Sequence, residues 1–466
     1  MLSVASIASA AEPPNIIFIM ADDLGYGDLG CYNSESKIPT PSIDRLAKAG
    51  LRFTDAHAPA AVCVPTRYGL LTGRYPFRMG RRRGGSLIEE GRLTIGGLLR
   101  KKGYYTACVG KWHLGFGGHP AQDTKTKLRG GPTERGFDHY FGIPASLDIP
   151  PYYYIRDGHA VAAPTEKIGS SNSEGWTRIQ GAFWRAGGNA PGFRHEDVLP
   201  RFAERSVAFL RQHRAKRGRQ PFFLYLALAA PHTPWLPSKP FHKRSGAGMY
   251  GDFTAEVDHA VGQVLAAIDE IGAKDDTLVI FTSDNGPVWY DTDVKRFGHE
   301  SVGKLRGMKG DAWEGGHRMP FIVRWPGKVK AGSTSDEIIC HTDMLATFAS
   351  LVGEKLPDDA GEDSYDVLPA MLGKKLTAPI REATVHQSSK RVLSIRQGKW
   401  KLIPSLGSGG FSKPSRQKST ADGAMGQLYD LGSDLSETKN VWKEHPDVVK
   451  KLTKLLETYR REGRSR

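Results

Sequence analysis

Cysteine is scarce in this chain. The four residues Cys31, Cys63, Cys108 and Cys340 stand far apart with no C-x-x-C pair, which excludes a zinc ribbon. If one of them serves chemistry, the three left cannot form a full disulfide framework, although a single bridge is compatible with the spacing. No run of about 18 apolar residues occurs, so no membrane span is expected. There are no internal repeats. The first residues, 1–11, are small and apolar and close on Ala8-Ser9-Ala10-Ala11, a processing-site pattern that lacks the basic n-region. This segment is expected to be a signal-peptide remnant, with the protein periplasmic or secreted. Acid is in deficit, with 50 Asp and Glu against 65 Lys and Arg and a net charge of +15. The positive residues are dispersed apart from Arg81-Arg82-Arg83 and Arg211 to Arg219, and no nucleic-acid module accompanies them. A nucleic-acid partner is therefore not expected, while a basic field still concentrates other polyanions.

What the chain does have is a set of short apolar runs that each end in reactive residue types. Asn15 to Met20 runs into Asp22-Asp23, and Tyr104 to Val109 into Gly110-Lys111-Trp112-His113. Phe222 to Leu228 leads to Pro231-His232, and Thr277 to Thr282 to Asp284-Asn285-Gly286. Continuous apolar runs suit strands buried on both faces. Between them, Val257, Ala260, Val261, Val264, Leu265 and Ile268 keep one helical face. Alternating strands and helices predict an α/β fold, a large and mostly parallel sheet flanked by helices. In such folds ligands bind beyond the carboxyl ends of the strands, where these four runs deliver their polar residues. Residues 12–378 are read as the catalytic unit and 379–466 as a C-terminal subdomain. The latter holds a hairpin over Arg391–Ile403, a strand at Gln427–Leu431 and a helix over Pro446–Arg461. Gly407 to Gly426, rich in Gly, Ser and Lys, is expected to be a mobile loop.

Alone, Asp22-Asp23 or Asp284-Asn285 would be an ordinary solvated turn. Together at strand ends of one sheet, three carboxylates and an amide oxygen make a hard oxygen cluster suited to Ca²⁺ or Mg²⁺ and unsuited to zinc. In Cys63-Val64-Pro65-Thr66-Arg67, Pro65 fits the first turn of a helix. Cys63 then sits at a helix N-terminus, where free N–H groups favour an anion. Arg67 follows one turn later on the same side. Alternation in an extended segment would put Lys111 and His113 on one face.

Cys63-Val64-Pro65-Thr66-Arg67 with Leu71-Thr72-Gly73-Arg74 resembles the signature of type I sulfatases, within the alkaline phosphatase superfamily. Gly110-Lys111-Trp112-His113-Leu114-Gly115, Pro231-His232-Thr233-Pro234 and Lys309-Gly310 ahead of Glu314-Gly315-Gly316 are similar to further motifs of that family, in family order from Asn15 to Leu431. The resemblance implies an alkaline-phosphatase-like sheet with a small C-terminal antiparallel sheet and helix. It implies that Cys63 is oxidised to Cα-formylglycine by a formylglycine-generating maturation enzyme, and that Ca²⁺ is held by Asp22, Asp23, Asp284, Asn285 and the modified Cys63. The implied reaction is hydrolysis of a sulfate ester on a sulfated carbohydrate or an aryl sulfate, through attack by the aldehyde hydrate and a covalent enzyme-sulfate intermediate. The implied roles are deprotonation of the attacking hydroxyl by Asp284, leaving-group stabilisation by His232 with Lys309, elimination by His113, and charge holding by Arg67 and Lys111. Lys111, His232 and Lys309 would also touch the substrate. His299, with Lys304 and Arg306 nearby, is expected at the sugar. So are Arg156 and Arg185 of a specificity insert, residues 143–192, which also carries Tyr152-Tyr153-Tyr154, Trp176 and Trp184. The resemblance points to a galactose- or N-acetylgalactosamine-type sulfate. The alternative is a phosphatase or phosphonate monoester hydrolase of the same superfamily, which the lack of extra histidines in the acidic cluster disfavours.

Overall fold

The computed structural model describes residues 13–80, 85–117, 124–421 and 423–466; the segment 1–11 and the Arg81-Arg82-Arg83 cluster lie outside them. Each apolar run forms a strand. Labelled in chain order, the strands that matter are β1 (Asn15–Asp22), β2 (Leu51–His57), β3 (Tyr105–Lys111), β4 (His139–Ile143), β5 (Ile155–Arg156), β6 (Phe222–Pro231), β7 (Thr277–Ser283) and β8 (Arg318–Arg324). They belong to an eleven-stranded sheet with the central order β7-β1-β6-β3-β4, all parallel. Antiparallel β8 and then β2 extend one side, and antiparallel β5 extends the other. Ile16, Ile17, Ile19, Leu224, Leu226, Val279 and Ile280 are fully buried, as expected for strands covered by helices on both faces.

Four of the helices are α1 (Cys63–Thr72), α2 (Val198–Arg217), α3 (Gly248–Glu270) and α4 (Pro446–Glu462). Helix α3 buries Val257, Ala260, Val261, Val264 and Ile268, the predicted stripe, with Leu265 half-buried at its edge.

The second sheet is antiparallel, in the order β9 (Thr384–Gln387), β10 (Leu393–Gln397), β11 (Trp400–Ile403) and β12 (Gln427–Asp430). Helix α4 covers it through Leu452, Leu456 and Tyr459. Tyr75 and Cys340, from the first unit, complete that core. All four cysteines are free.

Two buried features join the units. One is a charged network. Lys401 donates to Glu314 Oε1 at 2.9 Å and to His317 Nε2 at 3.1 Å, and its Nζ lies 2.9 Å from Glu437 Oε1. Arg396 grips Asp55 with two bonds of 2.6 Å. The other corrects the expectation of a mobile loop at Gly407–Gly426. Its first part docks on the catalytic unit: Ala312 N–H donates to Ser408 O at 2.7 Å, and Ser412 donates through N–H and Oγ to Asp311 at 3.0 and 2.5 Å. A run poor in apolar residues is ordered here by backbone hydrogen bonds.

Candidate active site

Register brings the site together. Ala21 lies beside Ser283 in the β1–β7 pair, and the Asp284 N–H donates to Ala21 O at 3.1 Å. Asp22 and Asp284 therefore leave adjacent strand ends side by side. On the other flank Asp22 pairs with Pro231, which precedes His232, and Gly110 pairs with Ala227. Gly110 has φ 126°, and a Cβ there would stand 1.8 Å from Ala227 O. The glycine lets β3 close against β6 and swing Lys111 inward.

Cys63 is the first residue of α1, after Val62 in an extended conformation, and Thr66 Oγ1 ties the helix start to Ala60 O at 2.8 Å. Arg67, one turn on, is fully buried. It donates from Nε and an Nη to Asp284 Oδ2 at 3.1 and 2.8 Å, and lies 3.3 Å from Asp22 Oδ2. Lys111 Nζ binds Asp22 Oδ2. Lys309 Nζ donates to Asp23 Oδ2 at 2.7 Å, and His232 Nε2 stands 3.7 Å from the same oxygen. Asp22, Cys63 and His232 each offer an atom within 4.8 Å of the others, as do Asp22, Asp23 and Asp284.

Burial and these cations set the ionisation states. Burial opposes charge on Asp22, but Lys111, then His232, Arg67 and Lys309, hold its carboxyl far below the usual range. Asp284 goes the other way, raised to about 7 by burial and by the Asp22 charge beside it. Lys111 and Lys309 are held cationic by Asp22 and Asp23 respectively, against burial. His113 and His232 are pushed down, first by burial and then by Lys111 and Lys309 respectively. Burial raises the Cys63 thiol.

The donor set fits a hard divalent cation. Asp22 Oδ1 and Asn285 Oδ1 are buried without a hydrogen-bond partner. Asn285 spends its amide N–H on Asp23 Oδ1 at 2.6 Å and on Gly286 O at 2.9 Å, leaving the oxygen free. Two orphaned oxygens beside a carboxylate trio are costly unless a cation answers them.

His113 reaches the cluster by a route other than alternation. Its φ is 57°, a left-handed turn after β3, and its Nδ1 is buried and unpartnered. Arg185 lies at the rim, paired with Asp148, whose carboxyl is held down against burial by His232 first. Arg156 does not reach the site. It is exposed on β5, between Phe141 and the short outer strand His159–Ala160, below the strand ends. His299 is fully buried, with Nε2 2.8 Å from Asp28 Oδ1 and Nδ1 accepting from the Lys37 N–H at 3.3 Å. Both ring nitrogens are spent on structure, so it is not placed to meet a sugar. Arg306 likewise stacks on Trp313 and donates to Glu437 O at 2.6 Å. Tyr152, Tyr153 and Tyr154 are core residues, and Trp184 stacks on His195. Ser146 is a site residue that the motifs did not reveal. It accepts from Lys111 Nζ at 3.3 Å and lies 3.2 Å from His232 Nδ1.

A strand-end cluster of buried acids, two lysines and an arginine around a residue at a helix N-terminus defines a hydrolase of anionic esters. The comparisons with known proteins specify the ester. Residues 14–354 match the family model described as Sulfatase, and residues 309–462 match that of N-sulphoglucosamine sulphohydrolase, C-terminal. The chain belongs to the sulfatase family and is a sulfuric ester hydrolase. It is 37% identical to the N-acetylgalactosamine-6-O-sulfatase of Bacteroides thetaiotaomicron over 96% of this chain and 93% of that protein. It is 36% identical to human arylsulfatase A over 98% and 89% of the two chains. A structure from a study of glycosaminoglycan metabolism by Bacteroides thetaiotaomicron superposes with a TM-score of 0.83 at 35% identity, covering 96% of this chain and 99% of that one.

Proposed function

We propose that the protein removes the 6-O-sulfate of N-acetylgalactosamine-type residues in a sulfated carbohydrate, with Cys63 converted to Cα-formylglycine. The observation that carries the chemistry is the convergence of Asp22, Asp23, Asp284, Arg67, Lys111 and Lys309 on the start of α1. The choice of sugar is supported by the near full-length similarity to an N-acetylgalactosamine-6-O-sulfatase. Asp22, Asp23, Asp284 and Asn285 would hold Ca²⁺, which when bound supplies positive charge for the sulfate oxygens. The hydrated aldehyde of residue 63 would supply the attacking hydroxyl.

The chain's own residues do the rest. Arg67 fixes Asp284 beside residue 63. Asp284, held beside residue 63, is placed to take up the proton of the attacking hydroxyl. Lys111 and Lys309 keep their charge and stabilise the negative charge that grows on the ester oxygens. His232, whose Nδ1–H donates to the Thr233 carbonyl, turns Nε2 toward the site, where in its protonated form it would give a proton to the leaving oxygen beside the cationic Lys309. His113, with a free Nδ1, is the proton acceptor for the return step.

The test is sulfate release from N-acetylgalactosamine 6-sulfate, N-acetylgalactosamine 4-sulfate, N-acetylglucosamine 6-sulfate and an aryl sulfate. Preference for the first in kcat/KM is expected. Equal or better turnover of the 4-sulfate or the gluco epimer would overturn the sugar assignment and leave the esterase chemistry standing.

A further inference from the structure

Some arginines of this protein are answered by an acid: Arg211 on α2 lies 2.7 Å from Glu270, and Arg194 lies 2.6 Å from Glu196. Exposed Arg156 and Arg217 and half-buried Arg201 and Arg205 make no ion pair with a carboxylate among the described residues. Three of them instead lie over aromatic rings: Arg201 over Tyr154 at 5.3 Å, Arg205 over Phe141 at 4.9 Å and Arg217 over Tyr105 at 3.7 Å. Tyr105, Phe141, Arg156, Arg205 and Arg217 line one cavity of about 360 Å³ between α2 and the β4–β5 edge. The Arg205 Nε is buried there without a hydrogen-bond partner. Asp157, next to Arg156, is engaged by His139 at 2.9 Å and by the Tyr140 N–H at 2.8 Å. Glu204 of α2 lines a different groove, with Arg211 and Glu270.

An aromatic face holds a guanidinium flat without neutralising it, so its N–H edge stays available to a planar or tetrahedral anion. Leaving such donors unsatisfied is unfavourable, and an incoming sulfate or carboxylate relieves it with charge-assisted bonds. The cavity runs from the level of Tyr105 to that of Phe141, the register partner of Val109, so it lies two to six residues, roughly 7–20 Å, down the strand from Lys111. One small ester cannot serve both places, whereas a polymer can.

We propose that this groove is an anion-binding exosite for a sulfated polysaccharide, gripping a part of the chain remote from the ester being cleaved. The proposal rests on the reading of the substrate as a sulfated carbohydrate. Holding the polymer at a second point raises the local concentration of its esters at the catalytic cluster.

The test uses full-length protein, with Arg156→Glu/Arg217→Glu as the main variant and Arg156→Gln as a milder one at an exposed position. Binding of chondroitin sulfate chains is measured by calorimetry in a Cys63→Ala background, beside sodium sulfate and single-stranded DNA. KM for the polymer and for an aryl sulfate is measured in the active background. Polymer affinity should fall about tenfold or more in the double variant, the loss expected for one or two charge-assisted hydrogen bonds. Polymer KM should rise in step, with aryl sulfate turnover unchanged, and Arg156→Gln should show a smaller loss of the same sign. Unchanged polymer affinity in both variants would overturn the proposal. Equally tight, variant-sensitive binding of sodium sulfate would make the groove a free-anion site, and of DNA an indiscriminate polyanion patch; either result overturns it. Failure of the substrate reading shows separately, as absent hydrolysis of every sulfated sugar while the aryl sulfate is cleaved.

Discussion

At Cys63 the surroundings disfavour a thiolate. Burial raises the thiol, and Asp22 and Asp284 lie close enough to oppose the help of Lys111 and Lys309. An unmodified cysteine would be a poor nucleophile there, which is in keeping with the proposed conversion of its side chain to an aldehyde. Mass spectrometry of active protein should find the Cys63 peptide about 18 Da below its cysteine form. Cys63→Ala should lower kcat on the order of 10⁴-fold or more, with unfolding midpoints unchanged; retained turnover would end the proposed mechanism. The orphaned oxygens of Asp22 and Asn285 lead to a second expectation. Chelation should abolish activity, Ca²⁺ should restore it better than Zn²⁺, and Asp22→Asn should reproduce the loss. Recovery by zinc alone would point to the phosphatase branch. Asp22, Asp23, Lys111, His232, Asp284 and Asn285 were legible in the sequence because each lies just past a continuous apolar run whose end defines a place, whereas Cys63, Arg67 and Lys309 were legible through their motifs. Ser146 was not legible, since a lone serine after β4 carries no pattern. His299 and Arg156 were misplaced for a related reason: which way such a side chain turns depends on Asp28 and on the pairing of β5 with β4, partners that no local spacing reveals.

Between the sheets, secondary-structure elements meet through charge as well as apolar contact. Glu314 and Glu437 share Lys401, and the two carboxyls separate: Glu314 is held low, against burial, by Lys401 first, while burial raises Glu437 to about 7. The folded state then takes up a proton at Glu437 more readily than the unfolded chain, whose ordinary value is 4.5. Its contribution to stability is complete below about pH 4.5 and is lost as pH rises through about 7. Glu437→Gln should remove this slope, a change on the order of 1–3 kcal/mol across that window. Denaturant midpoints of wild type and variant from pH 4.5 to 8 measure it; parallel curves would show that the shared proton is absent. The parallel strands and α3 were readable from apolar periodicity, and so was the β10–β11 hairpin around Gly398. The docked start of the Gly407–Gly426 loop was not, because its partners Asp311 and Ala312 lie about a hundred residues earlier in the chain.

Over the whole molecule, a net charge of +15 surrounds a catalytic cluster proposed to act on one anionic ester at a time. If that field steers a polyanion, kcat/KM on a sulfated oligosaccharide should fall as salt shortens electrostatic reach to about 8 Å at physiological ionic strength. An aryl sulfate should respond less, because its single charge is met inside the pocket. The ratio of the two specificity constants across a salt series is the measurement, and a constant ratio would remove the steering argument. The docking of the late loop on the Lys309 turn bears on something else, the order in which the protein comes into being. Gly310 packs so closely on Phe411 that a Cβ there would stand 2.8 Å from its ring, and the Ser389 N–H donates to Gly310 O at 2.9 Å. Every residue proposed for chemistry precedes position 310, yet Ser389 and Phe411, which brace the Lys309 turn, are synthesised about 80 and 100 residues after it. A nascent chain halted after β8 would carry the full complement of reactive groups and still be an unfinished enzyme.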